Sequence, residues 1–271
     1  MKKRLLTLML LPAMLLCSCN GMKIEEDKAK EIAAAIKENV DNLENEKKNN
    51  VNIKMTYKEA KGQGDSKIVT DATYKVITNA EGASRYEAKG KDTNVSEDFV
   101  VITKKDTTHE ELTYIKTYNE TSQKYDEFVY SKAQTANYSS YKNEYSTRMI
   151  GPLLIAAFLM YPESIMPKEN DPETEVEDGV TYKNSYNYYS WSDKSLTVVY
   201  EKKAISEVPN DTEVEINTKY NVKYRNLLVK TVRADGTSNY GNKTAIKADF
   251  KFSTSLYAID LPSNWQSLLV L

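Results

Sequence analysis

Residues 213–224 read EVEINTKYNVKY and carry the clearest secondary-structure signal in the chain. Every second residue from Val214 to Tyr224 is an apolar, aromatic or β-branched side chain, and each residue between them is charged or is asparagine. Successive side chains of a strand point to opposite sides, so a strict two-residue period is typical of a strand that buries one face. The stretch therefore predicts a half-buried strand.

The same alternation recurs along most of the chain and predicts eleven strands in two groups. Six precede residue 132, at 51–58, 67–79, 85–91, 98–103, 111–119 and 125–131, and five follow residue 179, at 180–191, 196–203, 213–224, 227–233 and 243–253. Short turns such as Ser192-Asp193 and Asp235-Gly236 join neighbours, which predicts two antiparallel meanders. The chain has twenty tyrosines and five phenylalanines, which also favours strands whose aromatic side chains are partly exposed to solvent.

Two segments break the β pattern. From Glu25 to about Leu43, apolar residues such as Ile32, Ile36 and Val40 recur at three- and four-residue steps and predict an amphipathic helix. Residues 149–160 read MIGPLLIAAFLM, an apolar run too short to cross a hydrocarbon core, which needs roughly 20 residues. The run must therefore pack against the sheet. The proline-rich, acidic residues 162–179 that follow predict an exposed loop.

The N-terminus predicts secretion and lipidation. Lys2, Lys3 and Arg4 precede an apolar run over residues 5–16, as in a signal peptide, and Leu16-Cys17-Ser18-Cys19 resembles the lipobox of bacterial lipoproteins. The resemblance implies that Cys19 receives the lipid, a diacylglyceryl group with palmitate-like chains. Cys17 fits less well because bulky Leu16 precedes it. The alternative is an ordinary secretory signal with two incidental cysteines.

This interpretation divides the chain into a signal peptide (1–18), a lipidated tether (19–30) and one folded domain (31–271). Two acyl chains give a stable membrane anchor, so we expect the mature protein on the extracytoplasmic face of the cell membrane, or of the outer membrane in a Gram-negative cell. Loss of three basic residues takes the net charge from −2 to −5. An acidic domain lacks the clustered lysines and arginines with which nucleic-acid binders contact phosphates, so no nucleic-acid partner is expected.

The layout of an amphipathic helix, six strands, an apolar helical segment over 134–161 and five more strands resembles the LolA/LppX-like lipoprotein-carrier fold. The closing Tyr257-Ala258-Ile259-Asp260-Leu261-Pro262 also looks like the end of such a domain. The resemblance implies an α+β, mostly β fold: a curved antiparallel sheet of about eleven strands that forms an incomplete barrel, with helices on its concave face. A β-sandwich or two small α+β domains remain alternatives.

The resemblance also implies an apolar cavity between sheet and lid that holds an acyl chain or a lipid-like ligand. The lid residues that would line it are Leu153, Leu154, Ile155, Phe158 and Leu159. The alternative is that these side chains simply fill the half-barrel as a solid core.

Residues suited to catalysis or metal binding are sparse. His109 is the single histidine and lies in a polar stretch, where a solvated surface histidine is favoured over a general base. The acidic run from Glu169 to Gly179 could attract calcium but lacks the EF-hand spacing, which favours a solvated acidic turn. We therefore expect a protein that is not an enzyme and has no metal or cofactor.

Two functions remain. The first is a lipid-anchored extracytoplasmic protein that binds a lipid or acyl chain in a half-barrel cavity. The second is a cell-surface adhesion module that contacts a protein or glycan partner, not yet identified, through exposed tyrosines. The tyrosines between Tyr182 and Trp191 could serve that contact, although alternate rings of a strand there are expected to face the core.

Overall fold

The computed structural model describes residues 21–46, 50–62, 68–91, 98–141, 160–168, 171–208 and 213–270. One long helix, α1 (Glu26–Asn45), lies against a large sheet, with short 3-10 turns at Pro162–Ser164 and Trp265–Leu268. The strands are β1 (Met22–Ile24), β2 (Asn50–Lys61), β3 (Ile68–Thr78), β4 (Ser84–Lys91), β5 (Phe99–Asp106), β6 (Glu110–Asn119), β7 (Lys124–Ser131), β8 (Thr174–Glu177), β9 (Val180–Ser190), β10 (Ser195–Ala204), β11 (Glu215–Arg225), β12 (Leu228–Ser238), β13 (Lys243–Ser253) and β14 (Leu269–Val270). The predicted mostly β class is confirmed.

Two meanders form one curved sheet. Strands β2–β7 and β9–β13 each run in sequence order, and antiparallel pairing of β13 with β2, from Lys243–Ala60 to Ser253–Asn50, joins the two blocks. The eleven predicted strands are present, and β1, β8 and β14 are short additions at the edges. Among the described strands the sheet does not close on itself, which confirms the incomplete barrel.

The two outer strands are each partly covered. β1 and β8 pair with opposite ends of the same edge of β9, and β14 pairs in parallel with Val129 and Tyr130 of β7. Covering an edge satisfies backbone groups that would otherwise invite pairing with another chain. The predicted tether, 19–30, overlaps β1 and the first turns of α1.

Helix α1 forms because its apolar residues fall on one stripe and two acids, Glu26 and Asp27, occupy its first turn, where negative charge is favoured. The stripe packs against β9, β10 and β12 on the concave side of the sheet. Asn39 secures the helix by donating to the carbonyl of Leu227 at 3.1 Å. The buried residues of the stripe are Ala29, Ile32, Ala33, Ile36 and Val40.

A second apolar cluster lies on the opposite, convex face of β5–β7. Ile102, Tyr114 and Val129 point there, and the C-terminal segment covers them with Ile259 and Trp265. The sheet is therefore buried on both faces at this side, whereas the convex face of the central strands is polar.

Two sequence predictions about loops are wrong. Asp235 and Gly236 do not form a turn: they lie inside β12, paired with Ala245 and Thr244, and the chain turns at residues 239–242. A Cβ atom at Gly236 would lie 2.5 Å from the Glu215 carboxylate, the end of a flexible side chain that would have to shift.

The segment 162–179 is not a simple exposed loop. Pro162, Ile165 and Met166 are buried, and residues 174–177 form β8. None of the helices in the described part of the chain has the length and apolar character needed to cross a membrane.

Candidate functional site

The concave face of the sheet is apolar and is the candidate ligand-binding surface. Alternate residues of each strand point to it, and the register aligns them in rows that cross the sheet. All members of the central row except Tyr74 are buried. From β10 to β5 this row comprises Val198, Val222, Val232, Ala248, Met55, Tyr74, Ala88 and Phe99.

A row of three tyrosines, here called the tyrosine row, borders this apolar surface. Tyr186 of β9, Tyr200 of β10 and Tyr220 of β11 are direct cross-strand partners. Their rings stack with centroids 5.0 Å and 5.9 Å apart, and all three are half-buried. Burial raises the pKa of Tyr200 to about 12 and also raises the pKa values of Tyr186 and Tyr220. The row presents rigid apolar surface and three neutral hydroxyl groups.

Beyond the tyrosine row the concave face carries charged groups beside a small buried apolar cluster of Val180, Tyr182 and Val214. Lys202, one step further along β10, bonds Glu175 at 2.9 Å and Glu177 at 2.8 Å, both carried by β8. Its ammonium also lies 4.5 Å from the centroid of the Tyr182 ring. The tyrosine row therefore separates the main apolar interior from a mouth that contains charged groups, an arrangement that suits a ligand with an apolar body and a polar end.

Tyr188 is the unusual group of the interior. It lies one step deeper than Tyr186 on β9, beside Val198, and only 4% of it is exposed. Within the described residues its buried hydroxyl has no hydrogen-bond partner. Burial raises the pKa of Tyr188, which keeps the hydroxyl neutral. An unsatisfied buried hydroxyl costs about 1–3 kcal/mol, so its presence calls for an explanation.

The residues on either side of the apolar run 149–160 both enter the concave core. Before it, the ring of Tyr138 is buried in that core, and its hydroxyl donates to Glu111 at 2.9 Å and lies 2.6 Å from Thr113 Oγ1. After it, Ile165 and Met166 are buried in the same core, and the Tyr161 hydroxyl donates to Asp41 of α1 at 3.4 Å.

Several predicted site residues lie outside the described part of the chain. They are the lipidation residue Cys19 and the lid residues Leu153, Leu154, Ile155, Phe158 and Leu159. Their proposed roles stay predictions.

The prediction that His109 is a solvated surface residue is wrong. Only 14% of its side chain is exposed. Its Nδ1 lies 2.8 Å from Asp106 Oδ1, and its ring packs edge-on against Trp265 with centroids 5.5 Å apart. Hydrogen bonds from His109 are also the main reason that the pKa of Asp106 is lowered. The pair thus holds the C-terminal segment against the sheet.

The acidic run is partly neutralised by lysine, since Glu175 and Glu177 pair with Lys202. Across the part of the chain that the structure describes, no group of three or more His, Cys, Asp or Glu residues could hold a metal ion.

The tyrosines near β9 face inward more than the sequence suggested. Tyr182 and Tyr188 are buried, Tyr186 is half-buried, and Trp191 in the following turn is 49% exposed. The sequence marked the region as aromatic but did not identify the tyrosine row, because Tyr200 and Tyr220 belong to other strands. Cross-strand register, which depends on turn length, would have been needed to align them.

Comparisons with known proteins give only distant likenesses. No family model matches the chain, and no curated protein matches it. Three solved structures are similar in outline. A domain assigned to an outer membrane lipoprotein-sorting protein from Vibrio parahaemolyticus has 7% identity and a TM-score of 0.23, with 80% of this chain and 89% of that chain covered.

The other two are equally distant. A DUF1329 family protein from Desulfovibrio piger has 8% identity and a TM-score of 0.25, with 89% and 98% covered. A LolA superfamily protein from Nitrosomonas europaea has 9% identity and a TM-score of 0.22, with 80% and 89% covered. TM-scores this low carry no argument about function, so any functional argument must come from the geometry of the site.

Proposed function

We propose that this chain is a non-enzymatic, lipid-anchored extracytoplasmic protein that holds an apolar ligand, such as the acyl chain of a lipid or lipoprotein, against the concave face of its sheet. The observation that carries the proposal is the buried hydroxyl of Tyr188, which lies in the apolar interior without a protein partner among the described residues. A ligand with an apolar body and a polar group would satisfy that hydroxyl and offset the cost of burying it.

The concave face supplies the apolar part of such a site. Helix α1 packs on β9, β10 and β12, whereas the apolar rows continue across β13 and β2 to β5. We propose that residues 149–160 cover this second half as a lid, with Leu153, Leu154, Ile155, Phe158 and Leu159 facing the ligand. Support comes from the flanking residues Tyr138 and Ile165, which are both buried in the concave core.

The mouth of the site would hold the polar end of the ligand. Tyr186 and Tyr220 offer hydroxyl groups at the boundary, whereas the Tyr200 hydroxyl donates to Asn184 at 2.9 Å; Lys202 lies just beyond the row. Because Glu175 and Glu177 already neutralise Lys202, a neutral polar end such as an ester fits this mouth better than a free carboxylate.

Anchoring through Cys19 would place the domain on the extracytoplasmic face of a membrane. The support is the adjacent basic and apolar signal sequence and the lipobox-like residues Leu16 to Cys19. The test is metabolic labelling with a palmitate analogue in a bacterial host. Cys19→Ser should abolish labelling and release the protein from membranes, whereas the matched variant Cys17→Ser should change neither. Loss of labelling in Cys17→Ser, with labelling retained in Cys19→Ser, would show that Cys17 and not Cys19 carries the lipid.

The test of ligand binding is solvent extraction of the purified chain, followed by mass spectrometry. We expect a molecule with a long acyl chain, recovered in a fixed ratio to protein and distinct from the lipid bonded to Cys19, which stays with the protein.

The exposed aromatics Tyr125, Trp191 and Tyr240 lie in or beside three separate turns. If no molecule is recovered, the surface-interaction function, with these residues as candidate contacts, would replace this proposal.

A further inference from the structure

The convex face of the central strands contains a cleft where two strands separate. The ladder between β12 and β13 ends at the pair Thr231–Asp249, although β13 continues to pair with β2 as far as Ser253. A register shift in the β11–β12 pairing places an extra residue, Lys230, at this point of β12. Such a bulge bends the strand away from its neighbour. The resulting cleft has a volume of about 450 Å³.

Four lysines line this cleft. Lys54 of β2 and Lys75 of β3 are direct cross-strand partners, and Lys230 and Lys251 stand on the two separating strands. Like charges placed directly opposite in a sheet are destabilising. Lys54 and Lys75 therefore repel each other, although each faces an acid on its other side.

The neighbouring acids neutralise these lysines only in part. Asp249, which lines the cleft opposite Lys54, bonds Lys247 at 3.3 Å and accepts a hydrogen bond from Thr231 at 3.4 Å. Lys75 forms a long ion pair with Glu87, its partner on β4, at 3.9 Å. Within the described residues Lys54, Lys230 and Lys251 form no ion pair, and all three are exposed. The four lysines thus outnumber the two acids beside them, which leaves an excess of positive charge on a chain whose net charge is −2.

We propose that this cleft binds a phosphate group, either as free phosphate or as the headgroup of a phospholipid. Several lysine ammonium groups around one concavity suit a compact, multiply charged oxyanion, which Lys binds as a point charge. Asn52, the cross-strand partner of Lys251, adds an amide donor at the same site. The cleft lies on the face opposite the tyrosine row, so this proposal does not depend on the ligand proposed for the concave side.

Amine acetylation of the full-length chain, read by mass spectrometry, tests the proposal and identifies the source of the phosphate. Lys54, Lys230 and Lys251 should react several-fold more slowly in sodium phosphate than in sodium chloride of equal ionic strength if free phosphate binds. If only a headgroup binds, the slowing should appear instead in phosphatidylglycerol vesicles and not in phosphatidylcholine vesicles. Two exposed lysines outside the cleft, Lys124 at the start of β7 and Lys194 in the turn before β10, are internal controls that should react equally in all conditions.

A charge variant gives an independent measurement. Lys54→Gln removes one positive charge from the cleft, so the increase in Tm caused by the anion found to bind should shrink or vanish. The matched variant Lys124→Gln should retain the full increase. Equal acetylation of cleft and control lysines in every condition, or an unchanged anion effect in Lys54→Gln, would overturn the proposal.

Discussion

Tyr188 is the residue on which the ligand-binding account depends most. A buried hydroxyl normally finds a partner, and Tyr138 shows how this chain provides one, with Glu111 and Thr113 both within hydrogen-bond distance. Tyr188 is equally well buried but has no such partner in the described structure. A phenylalanine would fill the same space without the cost, and under the proposed function a bound ligand supplies the missing partner.

The matched pair of Tyr→Phe variants tests this. In protein freed of bound lipid, Tyr188→Phe should raise the free energy of unfolding by about 1 kcal/mol, because it removes an unsatisfied polar group. Tyr138→Phe should lower it by about 1–3 kcal/mol, because it removes the hydrogen bonds of the buried Tyr138 hydroxyl with Glu111 and Thr113. Urea denaturation measures both. Destabilisation of similar size in the two variants would show that the Tyr188 hydroxyl is satisfied within the protein.

At the scale of strands, the tyrosine row links β9, β10 and β11. The rings stack because the register places Tyr186, Tyr200 and Tyr220 directly opposite one another. Half-burial of the hydroxyl groups disfavours the charged phenolate, which is why their pKa values are raised. Alkaline pH should therefore loosen this part of the sheet.

The pH dependence has a definite sign. The pKa of Tyr200 rises from 10.0 to about 12 on folding, so the folded state holds the proton more tightly than the unfolded state. Its contribution to stability is complete below pH 10 and is lost as the pH rises through about 12. Tyr200→Phe should make the curve of unfolding free energy against pH less steep in this window. An unchanged slope would mean that Tyr200 ionises equally easily in both states.

The strands themselves were largely predictable from the sequence, since one face of most strands is buried. Val222 and Tyr224 alternate with Asn221 and Lys223 because the first pair faces the concave core and the second faces outward. The same rule failed at Gly236, which resembled a turn residue. Gly236 instead pairs with Thr244 inside the β12–β13 ladder, because the chain turns only at residues 239–242.

The site was less predictable than the fold. The alignment of Tyr186 with Tyr200 and Tyr220 depends on the lengths of two hairpin turns, and the lysine cleft depends on the bulge at Lys230. The sequence did not show that His109 is covered, because Trp265, which packs against it, is distant in the chain. Such features arise from tertiary register and packing, which alternation alone does not encode.

At the scale of the whole molecule, the joining of two meanders through β13 and β2 gives a single curved sheet with unlike faces. The concave face carries the apolar rows, the tyrosine row and the flanks of the apolar run 149–160. The convex face of the central strands carries lysines. A sheet with one apolar and one charged face can bind an apolar ligand on its concave side while its convex side stays in contact with water or anions.

The central claim, that the concave face binds an apolar ligand, is tested most directly by titration of lipid-free protein with a fluorescent fatty-acid ester. Two tyrosines of β9 form a matched pair: Tyr186 faces the concave side, whereas Tyr189 faces the opposite side, and both are half-buried. We predict that Tyr186→Ser weakens binding about tenfold, equivalent to about 1.4 kcal/mol, while Tyr189→Ser leaves it unchanged. No binding by the unmodified chain, or equal weakening by the two variants, would contradict the account.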